Sequence, residues 1–313
     1  MRLARFKRES GEIGLGVVRD GRIYQIPGVD DLLPLLRAGT DVLAQEGSRA
    51  VRNGRAVEEA EVALLSPIAV PPTFRDFYAF ERHVKAGRSW RGLEMDPAWY
   101  ESPVFYFSNP YAVTGPGDVP MTPGSGTFDF ELEVAAVVTM PGRDLTPAEA
   151  ERTIGGYCVL NDWSGRDVQQ REMTLSMGPV KGKDTATSLG PYYVTKDELA
   201  DRRDGSGYSL AMTCSVNGRE YSRALWSEVY WSFGEMAAYA SRGTDIRPGD
   251  VLGSGTCGSG CIMELSRGAN GADHPWLQPG DVVVAAVEGL GELANTVVPG
   301  AALVPLRSPA AAT

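Results

Sequence analysis

Histidine is almost missing from this chain: His83 and His274 are the only two in 313 residues. Any site that needs an imidazole must be built on one of them. Cysteine is scarce as well. Cys158, Cys214, Cys257 and Cys261 contain no CxxC pair, which disfavours a zinc or dithiol redox site and fits free thiols in a reducing compartment. No stretch approaches the roughly 18 apolar residues that a membrane helix needs. The start, MRLARFKRES, is basic but lacks the apolar run of a signal peptide, so a cytoplasmic protein is expected. Positive charge is in deficit, with 30 Lys and Arg against 40 Asp and Glu, a net charge of −10. That balance disfavours nucleic acid and anionic membrane as partners and is compatible with binding cations. Regular alternation of strand and helix is also lacking, which argues against a doubly wound parallel sheet.

What is present reads mostly as short strands, with few helices. Residues 1–69 form an expected small N-terminal domain, with strands in GLGVVRDGRIYQI and a helix in VDDLLPLLRAG. Pro67, Pro71 and Pro72 deny helix and mark its boundary. A catalytic domain is expected over 70–307, and a disordered tail over 308–313. Within the larger unit, FELEVAAVV alternates and then runs apolar, MTCSVNGREYS carries the Asn217-Gly218 hairpin signal, and GDVVVAAVEGLGELANTVV reads as two strands around a Gly turn. TPAEAERTIG offers a capping box, Thr146 with Glu149. WSEVYWSFGEMAAYASRG has helical apolar spacing up to Gly243.

Four segments carry chemistry. In FDFELEV, residues 128–134, Asp129, Glu131 and Glu133 alternate with apolar residues, so a strand would put the three acids on one face. On pattern alone this is a half-exposed strand with its polar residues outward. A hard-cation site is the alternative, because Mg²⁺ and Ca²⁺ take carboxylate oxygens, but it needs further acids from elsewhere. Asp162 in NDWSGRDVQQRE stands at the end of an apolar strand, with Arg166, Asp167, Gln169 and Glu172 behind it. A capped helix start with an Arg–Asp pair explains that segment equally well. FRDFYAFERHVKAGRSWRG holds His83, and a lone histidine is more often a satisfied residue than a catalytic one. GSGTCGSG, residues 253–260, contains a formal GxGxxG, but the segment after it is short and broken by Gly268 and Gly271 rather than a long helix. A nicotinamide fingerprint is therefore disfavoured.

Together and in this order, these segments resemble the fumarylacetoacetate hydrolase family, over nearly all of residues 70–307. The resemblance implies a mixed α/β, β-rich fold with a β-roll or β-sandwich core and a small N-terminal α+β domain. It implies one divalent cation, Mg²⁺ or Ca²⁺ with Mn²⁺ as a further option, held by Asp76, Glu131, Glu133 and Asp162. It casts His83 as a general base oriented by Glu264, and Arg166, Gln169 and Lys183 as stabilisers of developing negative charge. Tyr78, Thr187 and Thr256 become substrate contacts, and the family's substrate arginine is Arg88 or Arg91. Met173 stands where one branch carries a substrate-binding tyrosine, so the far end of the pocket should be less polar. Family members are usually homodimers acting on small molecules, here a 2-oxo or diketo acid.

The expected activity is hydrolysis of a carbon–carbon bond in an acylpyruvate-like or 1,3-diketo acid. Decarboxylation, hydration or isomerisation of a 2-oxo acid at the same site is the alternative. Asp129, one step outside the paired glutamates, is expected to be solvated or to support them.

Overall fold

The structure is a computed structural model that describes residues 1–266 and 273–306. The expected tail and the glycines at 268 and 271 lie outside the described residues. The chain is strand-rich and mixed α/β, and two sheets carry most of it. The larger has 13 strands, ten of them in the order Ala56–Glu58, Arg22–Gln25, Ile13–Arg19, Arg2–Lys7, Tyr192–Thr195, Ile154–Asp162, Leu132–Val138, Val251–Gly253, Phe74–Phe77 and Phe105–Phe107, with Ala63–Leu65, Thr187–Leu189 and Val113–Thr114 paired off that path. The smaller has five, in the order Arg219–Leu225, Ala211–Val216, Val282–Val287, Gly291–Val298 and Gly117–Pro120. Neither closes into a barrel among the described residues.

Alternation explains how the large sheet is covered on both sides. Along Leu132–Val138, Leu132, Val134, Ala136 and Val138 point into the main core, shared with Met212, Val283, Ala285 and Leu293 of the small sheet. Ala135 and Val137 point the other way, onto Leu3, Leu35, Leu36 and Leu43 of the N-terminal strands and helices. A strand buried on both faces reads as a continuous apolar run, which is what AAVV is. Burying one such side chain stabilises by about 1.5–3 kcal/mol.

The N-terminal strands join the large sheet rather than forming their own, because Arg2–Lys7 pairs antiparallel with Tyr192–Thr195. We propose the domain boundary near residues 69 and 70, in the proline-bearing stretch 66–73, which is neither strand nor helix.

The turn chemistry is where the sequence puts it. Asn217 and Gly218 take positive φ values of 50° and 79° and join Ala211–Val216 to Arg219–Leu225. Thr146 and Glu149 form the capping box of helix Pro147–Thr153. Three helices differ from expectation. The segment 226–243 is α-helical only over Phe233–Ala240, after a single 3-10 turn at Trp226–Glu228, because Ser232 and Glu235 build a second capping box there and start the α-helix late. Thr40–Asn53, a 14-residue helix, continues after Gly39 where the sequence suggested only one short helix. His83 lies on a helix, Glu81–Ser89. No helix among the described residues is long and apolar enough to cross a membrane.

Candidate active site

The site gathers where three strands of the large sheet meet. Asp76 lies in Phe74–Phe77, Glu133 in Leu132–Val138, and Asp162 ends Ile154–Asp162. Gly253 is the common neighbour, opposite Ala135 on one side and Asp76 on the other. A Cβ on Gly253 would lie 2.2 Å from Asp76 Oδ1, so only glycine lets that carboxylate sit there. Glu131 falls in a break. The Phe128–Asp129 strand pairs with Ser164–Gly165, while the main ladder begins at Leu132 opposite Asn161. The freed Glu131 N–H donates to Asn161 Oδ1 at 2.9 Å.

Asp76, Glu131, Glu133 and Asp162 bring one oxygen each to within 4.8 Å of one another. They are 3%, 5%, 0% and 0% exposed, so the half-exposed strand is excluded. Asp129 is buried too, and correspondingly not solvated. It accepts from the Ile262 and Met263 N–H groups at 2.7 and 3.0 Å and from Arg166 Nε at 2.7 Å.

Two cations answer the acids. Lys183 Nζ donates to Glu131 Oε2, and to Asp162 Oδ2 at 2.6 Å. Arg166 Nη2 pairs with Glu131 Oε1 at 2.7 Å, and its Nη1 donates to Gln169 Oε1 at 3.0 Å. For Glu131, burial works upward but the charges of Lys183 and Arg166 outweigh it and hold the carboxyl well below its ordinary range. Asp76 is pushed well up, by burial first and then by the Asp162 charge. Glu133 is pushed well up by burial, then by Asp76. Asp162 also ends above its ordinary value, burial prevailing over Lys183.

Five acids therefore face two cations. Glu133 Oε2 is buried with no hydrogen-bond partner, Glu133 Oε1 accepts from the Thr256 hydroxyl at 3.4 Å, and the Glu133 carboxyl lies against that of Asp76. An all-oxygen donor set with an orphaned carboxylate oxygen and uncompensated charge fits a hard divalent cation.

His83 lies beside the cage, 4% exposed and within electrostatic reach of Glu131. Its Nδ1–H donates to Glu264 Oε1, and Glu264 Oε2 accepts from the Ser259 N–H at 2.9 Å. The Tyr78 ring stands edge-on to the imidazole, centroids 5.5 Å apart, and burial pushes its phenol up to about 12. Thr187 Oγ1 reaches Asp162 Oδ1 at 3.5 Å. Of the two arginines, Arg88 is tied to Glu94 O at 2.5 Å, whereas the Arg91 charge acts on Tyr78. Met173 is 41% exposed. The GxGxxG glycines precede only a four-residue helix, Ile262–Leu265, and Gly255, at φ 74°, packs on the Phe77 carbonyl.

One neighbour went unnoticed in the sequence. Tyr106, half-buried in Phe105–Phe107, donates to Asp162 Oδ2 at 2.5 Å. The segment FYFSNP gives no sign of it, since a phenol between two phenylalanines looks like any strand.

A strand-rich mixed fold, holding a buried acidic cluster that fits a divalent cation beside a histidine–carboxylate pair, defines a class of metal-binding enzyme. The chain belongs to the fumarylacetoacetate hydrolase family: residues 73–298 match the model described as Fumarylacetoacetate (FAA) hydrolase C-terminal. It is 29% identical over 282 residues to a fumarylacetoacetase of Arabidopsis thaliana, covering 72% of this chain and 66% of that protein. It is 27% identical over 310 residues to a mitochondrial oxaloacetate tautomerase of Xenopus laevis, covering 95% of this chain and 90% of the relative. Among solved structures, the fumarylacetoacetate hydrolase of Exiguobacterium antarcticum superposes with a TM-score of 0.74 at 26% identity, covering 96% of this chain and 99% of that one.

Proposed function

We propose that this chain is a divalent-metal-dependent hydrolase that cleaves a carbon–carbon bond in an acylpyruvate-like or 1,3-diketo acid. The observation that carries the reading is the His83–Glu264 pair set beside the four-carboxylate cage, since hydrolysis needs a base for water. Asp76, Glu131, Glu133 and Asp162 would hold the cation, Mg²⁺, Ca²⁺ or Mn²⁺. When bound, it supplies Lewis-acid stabilisation to an oxygen that gains negative charge.

The chain's own residues do the rest. Glu264 holds the proton on His83 Nδ1 and leaves Nε2 free to take one from water. The hydroxide adds to the distal carbonyl of the substrate, and the carbon–carbon bond breaks as the tetrahedral species collapses. Nε2 returns its proton to the departing carbon, so an acylpyruvate yields pyruvate and a carboxylic acid. Lys183 has a third N–H beyond the two that Glu131 and Asp162 accept. Gln169, its Oε1 taken by Arg166, has its amide N–H groups to donate. Each donor aimed at the oxyanion is worth about 3–4 kcal/mol of barrier. Tyr78, Thr187, Thr256 and Arg91 would position the substrate, and Met173 accounts for a less polar far end.

Tautomerisation of a 2-oxo acid is the second reading, favoured by the likeness to the Xenopus enzyme along 95% of the chain. Both readings meet in one experiment. The Mg²⁺-loaded protein is given an acylpyruvate and, separately, enol-oxaloacetate, and products are identified by chromatography. We expect pyruvate and a free acid from the first, with His83→Ala lowering kcat by roughly 10²–10⁴-fold. Unchanged turnover in that variant removes the base role, and turnover of enol-oxaloacetate alone selects the tautomerase. The homodimer and the cytoplasmic location belong to the same proposal. Phe107 and Tyr111, 67% and 86% exposed, are apolar surface that a second copy would cover, and sedimentation of the purified protein tests it.

A further inference from the structure

Three of the four buried cysteines pack in the apolar cores: Cys214 and Cys257 in the main one, Cys158 in the N-terminal one. Cys261 belongs to neither, although it is fully buried. Its sulfur faces Glu264 instead, 3.9 Å from Oε1, in a setting shaped by the charges of Asp129, Arg166 and Glu131. Cysteine behaves ordinarily as a small hydrophobe, so a thiol placed among ionic groups and away from the core asks for a different account. A nucleophile is a poor one. Burial drives this thiol well above its usual range, and a nucleophile must be a thiolate.

Metal ligation is a better one. His83, Cys261 and Glu264 bring a nitrogen, a sulfur and an oxygen to within 4.8 Å of one another. That is a three-ligand set of the composition zinc takes when a fourth position stays open for water. The cage next door offers only oxygen, the preference of hard cations. Two adjacent donor sets of opposite softness should therefore sort cations, Mg²⁺ to one and Zn²⁺ to the other.

We propose that His83, Cys261 and Glu264 form a second cation site, selective for Zn²⁺, whose occupation switches the enzyme off. Binding inserts the ion between Nδ1 and Oε1, where a single proton now sits. The imidazole proton moves from Nδ1 to Nε2 by exchange with solvent, the Cys261 thiol proton leaves to solvent, three coordinate bonds form, and no electron changes hands. Once zinc is there, Glu264 no longer holds an Nδ1–H, and Nε2 carries the ring's one proton, so it has no lone pair with which to take a proton from water. The inhibitory consequence rests on the base role proposed for His83; the site itself does not.

The test uses the full-length, Mg²⁺-loaded protein with Zn²⁺ as the probe. X-ray absorption at the zinc edge should show one sulfur at about 2.3 Å, absent in Cys261→Ser and in Cys261→Ala and retained in Cys257→Ser. Zinc should inhibit acylpyruvate turnover, and either Cys261 variant should raise the half-inhibiting concentration by roughly tenfold or more while turnover without zinc stays unchanged. A zinc spectrum with oxygen and nitrogen alone, or a sulfur signal that survives both Cys261 substitutions, overturns the site. Zinc bound through sulfur without loss of turnover overturns the switch. If the sulfur signal appears as described but no substrate turns over even without zinc, it is the functional reading that fails and the site that stands.

Discussion

At the scale of single residues, the cage depends on an atom that is not there. Gly253 lies under Asp76, and a methyl group at that position would meet Oδ1 at 2.2 Å and Leu160 Cδ2 at 2.9 Å. Gly253→Ala should therefore push Asp76 off the other three carboxylates. We expect Mn²⁺ affinity, read from the spin-resonance signal of free Mn²⁺, to fall roughly 10–100-fold, with overpacking costing about 1–3 kcal/mol of stability. Wild-type affinity in that variant would exclude Asp76 as a ligand. Residue-level reading of the sequence went far in one direction only. The alternation of FDFELEV assigned its faces correctly, since Phe128, Phe130, Leu132 and Val134 all lie in the main core. It misjudged the acid face because burial of that face is decided by Asp76, Asp162 and Lys183, which arrive from distant segments.

At the scale of elements, the NDWSGRD segment divides its labour between site and scaffold. Asp162 ends a strand, Arg166 reaches into the cage, and Asp167 turns outward at the start of helix Arg166–Met173. Asp167 accepts from Ser125 Oγ at 2.6 Å, from the Gly126 N–H at 2.8 Å and from the Val168 N–H at 2.9 Å. It thereby fastens the loop before FDFELEV to the helix that carries Arg166 and Gln169. Burial pushes its carboxyl up, but those donors prevail and hold it below the ordinary carboxylate range. A depressed folded value means the native state binds fewer protons than the unfolded one, so this stabilisation is complete above the unfolded value and lost as pH falls through the folded one. Asp167→Asn should cost about 1 kcal/mol at pH 7, a figure already reduced for solvent exposure. The gap to wild type should close as pH falls from about 5 toward 3, which urea unfolding across that range would measure. A constant gap would show that the hydrogen bonds do not depend on the charge. The sequence reading of this segment left a capped helix start and a functional site as rivals: a helix does start at Arg166, but its N-cap is Gly165, with no side-chain cap, while Asp162 and Arg166 join the buried acidic cluster. The Arg–Asp pair exists, but its acid is Asp129 from another strand rather than Asp167 next door, and no local pattern could have chosen between them.

At the scale of the whole molecule, five buried acids facing two buried cations are a standing destabilisation that a divalent cation relieves. Stripping the protein with a chelator should lower Tm by several degrees, and Mg²⁺ or Mn²⁺ at about 100 times its dissociation constant should restore about 2.7 kcal/mol. Scanning calorimetry with and without metal gives the answer, and a Tm indifferent to metal would leave the acids as a structural network. The mixed, strand-rich architecture was legible from turn signals, proline boundaries and the scarcity of amphipathic helix. The order of strands was not. Local pattern says where a strand is and which face is apolar, but the pairing of Val251–Gly253 with Phe74–Phe77 is set by packing between segments far apart in the chain.

That parallel pairing has a consequence in time. Asp76 and Gly253, like His83 and Glu264, are separated by about 180 positions, and closing a loop of that length costs about 5 kcal/mol of chain entropy. At a synthesis rate of roughly 5–20 residues per second, the strand bearing Asp76 leaves the ribosome some 10–40 s before its partner exists. During that interval an apolar edge, Phe74 and Phe77, waits without the hydrogen bonds that will cover it. The chain thus carries its chemistry early and its competence late, and the interval between them is the stretch of its life in which a chaperone has most to offer.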